Sequence, residues 1–163
     1  MVYELVQTRI RNPEYEIRRK NGEALYKIRK KKRRVMKTWE IVDAVNGTEE
    51  AELTYFQRLL IFPGFKIRIR GEEKAALRAQ LSFRWKYKLT GCGLSFEPRF
   101  ESRNDVSCLL KRGGKEIAWT ALIEDGEDVI RMYVDDHEDA LLCLAIMLSH
   151  DFCGEMLLDP RNH

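Results

Sequence analysis

Basic side chains are the residues of this chain best suited to chemistry. Between positions 27 and 37 stand eight cations: Lys27, Arg29, Lys30, Lys31, Lys32, Arg33, Arg34 and Lys37, six of them consecutive. Like charges this dense repel one another, so the run reads as a solvated loop or a flared hairpin between two strands. Beside an anionic bilayer each such cation is worth about 1 kcal/mol, so the cluster would hold a domain on a membrane. Against nucleic acid the same run would release counterions and bind without sequence preference. As a nuclear-localisation signal it is a weak pattern. Two further sets alternate with apolar residues: Lys66, Arg68 and Arg70, then Arg84, Lys86 and Lys88. A period of two sends each trio to one outward strand face. If the two strands are neighbours, the six cations share a patch in which arginine grips a phosphate with two parallel bonds. The alternative is a solvated outer face that discourages edge pairing. Trp85 and Tyr87 alternate with the cations and so face the core, which makes them poor stacking platforms for nucleic-acid bases.

Other chemistry is poorly provided for. Acids gather at Glu124, Asp125, Glu127, Asp128, Asp135, Asp136, Glu138 and Asp139. A calcium loop starting at Asp125 needs an oxygen ligand at its fifth position and glycine at its sixth, where Val129 and Ile130 stand. The acids therefore read as a turn and a helix N-terminus. Ser149, His150 and Asp151 are adjacent, but helical neighbours point about 100° apart and form no relay. His150 and Cys153 share a helix face, yet two ligands are not a metal site. Gly91-Cys92-Gly93 leads into a strand-like run and lacks the helix of a phosphate loop. Cys92, Cys108, Cys143 and Cys153 show no Cys-x-x-Cys spacing and read as reduced, buried thiols. No cofactor, metal or catalytic residue is expected.

These side chains need a scaffold, and composition bounds it. With 163 residues, 44% hydrophobic and 34% charged, the chain reads as one folded domain, neither disordered nor an ordinary integral membrane protein. No apolar stretch is long enough for a transmembrane helix, and the N-terminus is not that of a signal peptide. Charge is unevenly placed. Residues 1–100 hold 23 Lys/Arg and 12 Asp/Glu, or +11; residues 101–163 hold 6 and 14, or −8, summing to the overall +3. Such a basic front suits an anionic partner, unless the two halves neutralise each other on folding.

An internal repeat supplies the strands. An aromatic followed two residues on by Ile or Leu recurs at Tyr15-Glu16-Ile17, Trp39-Glu40-Ile41, Phe65-Lys66-Ile67 and Tyr87-Lys88-Leu89. Turn signals follow the first three, at Asn21-Gly22, Asn46-Gly47 and Gly71, and a second alternating run follows each turn. Gly113-Gly114 marks a further hairpin, and another turn falls before Val129. Ten to twelve short strands with one apolar face predict a meandering antiparallel sheet that closes on itself or is covered. The last segment breaks this period. From Ala140 to Leu148 the only polar group is the Cys143 thiol. A helix is predicted there, capped by Asp135 and Asp136 and stopped at Gly154. A helix apolar all round is buried all round or sits in lipid. About fourteen residues span only about 21 Å, too short for a bilayer, so the sheet must wrap the helix.

In the order and spacing of these stretches the chain resembles the LURP-one-related proteins of the Tubby C-terminal-like superfamily, which includes the phospholipid scramblases. Tyr15-Glu16-Ile17-Arg18 with Asn21-Gly22, Trp39-Glu40-Ile41 with Asp43, the segment from Leu60 to Ile67, Trp85-Lys86-Tyr87, and Asp135-Asp136 leading into the apolar helix carry the likeness, over about residues 12–153. The resemblance implies a twelve-stranded antiparallel β-barrel threaded by a hydrophobic C-terminal helix, and a single such domain over residues 1–163. It implies no settled activity, and no lipid-contacting residue is carried over from it. The expected function is a non-catalytic binding module for anionic lipid head groups, phosphoinositide or acidic phospholipid, in the cytoplasm and peripheral to the membrane. Nucleic-acid binding by the same cations and a protein-interaction role are the alternatives.

Overall fold

The structure, a computed structural model, describes residues 1–8, 14–31, 36–58, 62–80, 86–100, 106–123 and 129–158. Lys32, Arg33, Arg34, Arg84 and Trp85 lie outside them, as do Glu124, Asp125, Glu127 and Asp128. Twelve strands precede one helix: β1 Val2–Gln7, β2 Tyr15–Arg19, β3 Ala24–Lys30, β4 Thr38–Asp43, β5 Glu49–Arg58, β6 Phe62–Ile69, β7 Glu72–Gln80, β8 Lys86–Thr90, β9 Ser95–Phe100, β10 Val106–Arg112, β11 Lys115–Ile123, β12 Val129–Val134 and α1 Ala140–Leu158. All pairings are antiparallel, in the order β8-β7-β6-β5-β4-β3-β2-β1-β12-β11-β10-β9. The barrel with its single helix is therefore the architecture that the repeat and the apolar tail predict.

The expected turns form, but only the glycine of each Asn-Gly pair takes positive φ; Asn21 and Asn46 do not. Gly22 and Gly47 take positive φ of 84° and 73°, the left-handed region that glycine enters without a Cβ clash. Inward residues pair across the strands in continuous belts: Ile17 beside Tyr26, Ile28 beside Ile41, Leu53 beside Ile67. Strand β1 lies outside the repeat, so the repeat does not reveal it. It sits between β2 and β12, with Tyr3 and Leu5 in the core.

The ring is joined at β1–β12 and left unpaired between β8 and β9, although these strands are consecutive in sequence. Pro98 gives a physical reason. It stands opposite Cys108, whose N–H donates to the Thr120 hydroxyl on β11 at 2.8 Å. In an antiparallel pair, opposite residues exchange both bonds or neither. The backbone nitrogen of Pro98 therefore points away from β10, into the gap, and has no hydrogen to give. Side chains bridge the gap instead. The Tyr87 and Phe96 rings meet at 5.5 Å, and both lie against His150 of α1, at 4.9 and 5.1 Å.

Helix α1 fills the interior. Every residue from Cys143 to His150 is buried, as are Leu141, Phe152 and Cys153. Two details correct the sequence reading. The cap is Asp139, whose carboxylate accepts the Leu142 N–H at 3.1 Å; Asp135 instead accepts the His137 N–H and pairs with Lys115. The helix does not stop at Gly154 but runs to Leu158. Glycine costs a helix interior only about 1 kcal/mol, little beside the burial that precedes it.

One glycine is required by packing. Gly64 lies between Phe56 of β5 and Arg78 of β7. A Cβ there would fall 2.7 Å from the Leu77 carbonyl oxygen and 2.7 Å from Phe56 Cζ. Gly64→Ala is expected to cost about 1–3 kcal/mol, read as a lower urea midpoint. An unchanged midpoint would mean that strand β7 gives way freely.

Candidate anion-binding face

The outward face of β3 to β8 carries the cations, and cross-strand register decides which remain available. Arg29 on β3 stands opposite Glu40 on β4 and pairs with it. Glu40 stands opposite Glu52 on β5, and Glu52 opposite Arg68 on β6, with Arg68 Nη1 3.7 Å from Glu52. Lys31 reaches into this row, 2.7 Å from both Glu49 and Glu52. Burial alone would lower the Lys31 pKa, but hydrogen bonds to Glu49 and Glu52 outweigh it and hold the ammonium above its usual value. The hydrogen bond from Lys31 in turn lowers the Glu52 carboxyl. Lys66 pairs with Glu73 at 3.6 Å. Arg70 lies in the turn beyond β6, at positive φ, and binds Glu50 at 2.8 Å. Part of the basic front is thus paired within its own half of the chain, which keeps its excess of cations. The arginines and Lys66 are exposed and their acids mostly half-buried, so these pairs contribute about 0–1 kcal/mol each.

The two cation ladders are not neighbours, because β7 lies between β6 and β8. Lys30 is exposed, its Nζ 5.6 Å over the buried Trp39 ring. Lys37 is half-buried and engaged. Lys27 stands opposite Glu16, but that carboxylate is held by Arg18 at 2.7 Å. Lys86 and Lys88 are exposed on the free strand β8. Among the described residues no carboxylate lies within ion-pair distance of Lys27, Lys86 or Lys88.

Register also exposes a residue that strand patterning alone did not single out. Arg78 on β7 faces outward directly opposite Lys88, and Gln80 stands opposite Lys86. Arg78 is half-buried and likewise meets no carboxylate among the described residues. The alternation of buried Ala75, Leu77 and Ala79 could have turned Arg78 outward from sequence. Its partner could not be read, because alternation gives the face of each residue and not the register of β7 against β8.

The helix residues with catalytic character are spent elsewhere. The Ser149 hydroxyl donates to the Ala145 carbonyl of its own helix at 2.8 Å. Burial pushes the Cys108, Cys143 and Cys153 thiols up to about 12, far from the range of a reactive thiolate. No group of three or more potential metal ligands occurs among the described residues.

No family model matches the chain, and no curated protein matches it. Its fold is similar to that in the X-ray structure of a protein from Arabidopsis thaliana, with a TM-score of 0.58 at 12% sequence identity, covering 93% of this chain and 91% of that one. At such identity the likeness concerns architecture alone.

Proposed function

We propose that the chain is a non-catalytic module of the LURP-one-related kind, in the Tubby C-terminal-like superfamily, that holds anionic lipid head groups at the cytoplasmic face of a membrane. One observation carries this reading. Among the described residues, ion pairing within the sheet occupies Arg29, Lys31, Lys66, Arg68 and Arg70, yet leaves Lys86 and Lys88 side by side on an exposed edge strand. A sheet that only needed solubility would gain by pairing these too. No helix among the described residues is long and apolar enough to cross a membrane, so contact through this face would be peripheral.

Flotation with neutral and acidic liposomes at two salt concentrations tests the reading. Acidic liposomes should carry the protein at low salt and release it at high salt. The double variant Lys86→Ser, Lys88→Ser should weaken partitioning roughly thirtyfold, at about 1 kcal/mol per cation. Equal flotation with neutral liposomes would sink the proposal. Binding to nucleic acid with a steep salt slope, and to no liposome, would put the nucleic-acid alternative in its place.

A further inference from the structure

We propose that Arg78 and Lys88 form a clamp for a phosphate monoester. The inference rests on the anion-binding reading above and narrows it to one subsite and one ligand chemistry.

Directly opposite side chains on one face of an antiparallel sheet have Cβ atoms about 5 Å apart, and like charges there are destabilising. This barrel contains other like-charged opposites, and each has a resolving partner. Glu40 and Glu52 are bridged by Lys31. Arg112 and Lys115 stand opposite each other, but Arg112 binds Glu138 at 2.9 Å and Lys115 binds Asp135 at 3.1 Å. Arg78 and Lys88 have no such third group among the described residues. In this proposal a bound anion supplies their counter-charge.

The surroundings shape what fits. Gly64 presents no side chain beside Arg78, so the guanidinium is not crowded from that strand. Phe56 reaches over Gly64 and forms an apolar wall on the side away from Lys88. Lys86 continues the row along the strand. A phosphate monoester brings a charge near −2 and three acceptor oxygens at neutral pH. Arg78 would take two of these oxygens with its planar fork, and Lys88 would meet the third as a point charge. A phosphodiester or carboxylate offers one charge and satisfies one cation. The monoester belongs either to a lipid head group or to a free phosphorylated molecule.

The test uses the full chain and vesicles matched in surface charge. One set contains phosphatidylserine, the other phosphatidylinositol 4-phosphate, with inorganic phosphate as a soluble competitor. The wild type should prefer the monoester vesicles by about tenfold, the worth of one charge-assisted bond. Arg78→Gln and Lys88→Gln should each erase that preference, while phosphatidylserine binding falls only by the roughly fivefold that one surface cation is worth. The variant lacking both Arg78 and Lys88 should lose no more of the monoester preference than either single one. Arg78→Gln should melt no lower than the wild type, because it removes a repulsive pair. Equal affinity for both vesicle types, or a loss shared equally by both, would overturn the clamp and leave the lipid reading standing. If no vesicle binds but inorganic phosphate shifts the Arg78 side-chain resonances, the clamp stands for a soluble ligand and the lipid reading falls. If neither binds, both fall.

Discussion

Phe152→Ala is expected to lower the unfolding free energy by about 3–5 kcal/mol, the usual cost of emptying a buried aromatic site. Phe152 is 0% exposed and sits where three strands meet the helix. Its ring stacks on Trp39 of β4 at 5.1 Å, and meets Tyr15 of β2 at 5.6 Å and Phe65 of β6 at 6.4 Å. Phe65 passes the contact on to Tyr55 of β5, also at 5.6 Å. Truncation leaves a hole lined by rings on different strands, which cannot all collapse into it. Domains of this size hold only about 5–15 kcal/mol in total, so the variant should lie near its unfolding midpoint in mild urea. Phe152→Leu keeps most of the volume and should cost less, by about half or more. Equilibrium urea unfolding, with the slope unchanged between proteins, measures both. An alanine variant within about 1 kcal/mol of the wild type would mean that this end of α1 is not part of the core.

That cluster shows how far the fold was legible in sequence, and why. Tyr15, Trp39 and Phe65 are the first three aromatics of the repeat, spaced by 24 and 26 residues. One strand-turn-strand unit separates each from the next, so all three fall on alternate strands and point inward. An unbroken apolar helix then demands a closed wall around it. Strand β1 stayed hidden because its Tyr3 and Leu5 stand outside the period. The gap at β8–β9 stayed hidden because it follows from which way the Pro98 nitrogen points, and that depends on its register with Cys108.

The candidate site was less legible for a related reason. Alternation tells which residues face outward but not what stands opposite. Lys66 and Arg68 looked equivalent to Lys86 and Lys88 by sequence pattern. Register separates them: Arg68 is set against Glu52, whereas Lys88 is set against Arg78. Charge density failed in the same way. Arg29 and Lys31 sit in the densest basic run and are held by Glu40, Glu49 and Glu52, which are 9 to 21 residues away in sequence.

Acid should weaken the fold through His150, and the direction follows from its place at the gap. The imidazole is 8% exposed, packed between Tyr87 and Phe96. Burial pushes its pKa down from the ordinary 6.5 to about 4, with no charged neighbour offsetting it. The adjoining Tyr87 phenol is driven up by burial, and Cys153 up to about 12, so neither titrates in the same range. A folded-state pKa below the unfolded one means that the unfolded chain binds the extra proton first. The stabilisation is complete above about pH 6.5 and is lost as pH falls toward about 4, with an upper size of about 3 kcal/mol. The Glu52 and Asp135 carboxyls, held below their usual values, act in the same direction but at lower pH. His150→Phe keeps a ring against Tyr87 and Phe96 and has no proton to gain. Its Tm should fall less than that of the wild type between pH 7 and about 4.5, and the two curves should converge in slope below about pH 4, where carboxylates dominate. Parallel melting curves across the whole range would show that His150 reaches solvent and titrates as freely folded as unfolded. The same comparison probes the gap itself. A proton on His150 places charge behind the two rings that close the barrel where no backbone bond does, so amide exchange at β8 and β9 should quicken before global unfolding in the wild type and not in the phenylalanine variant.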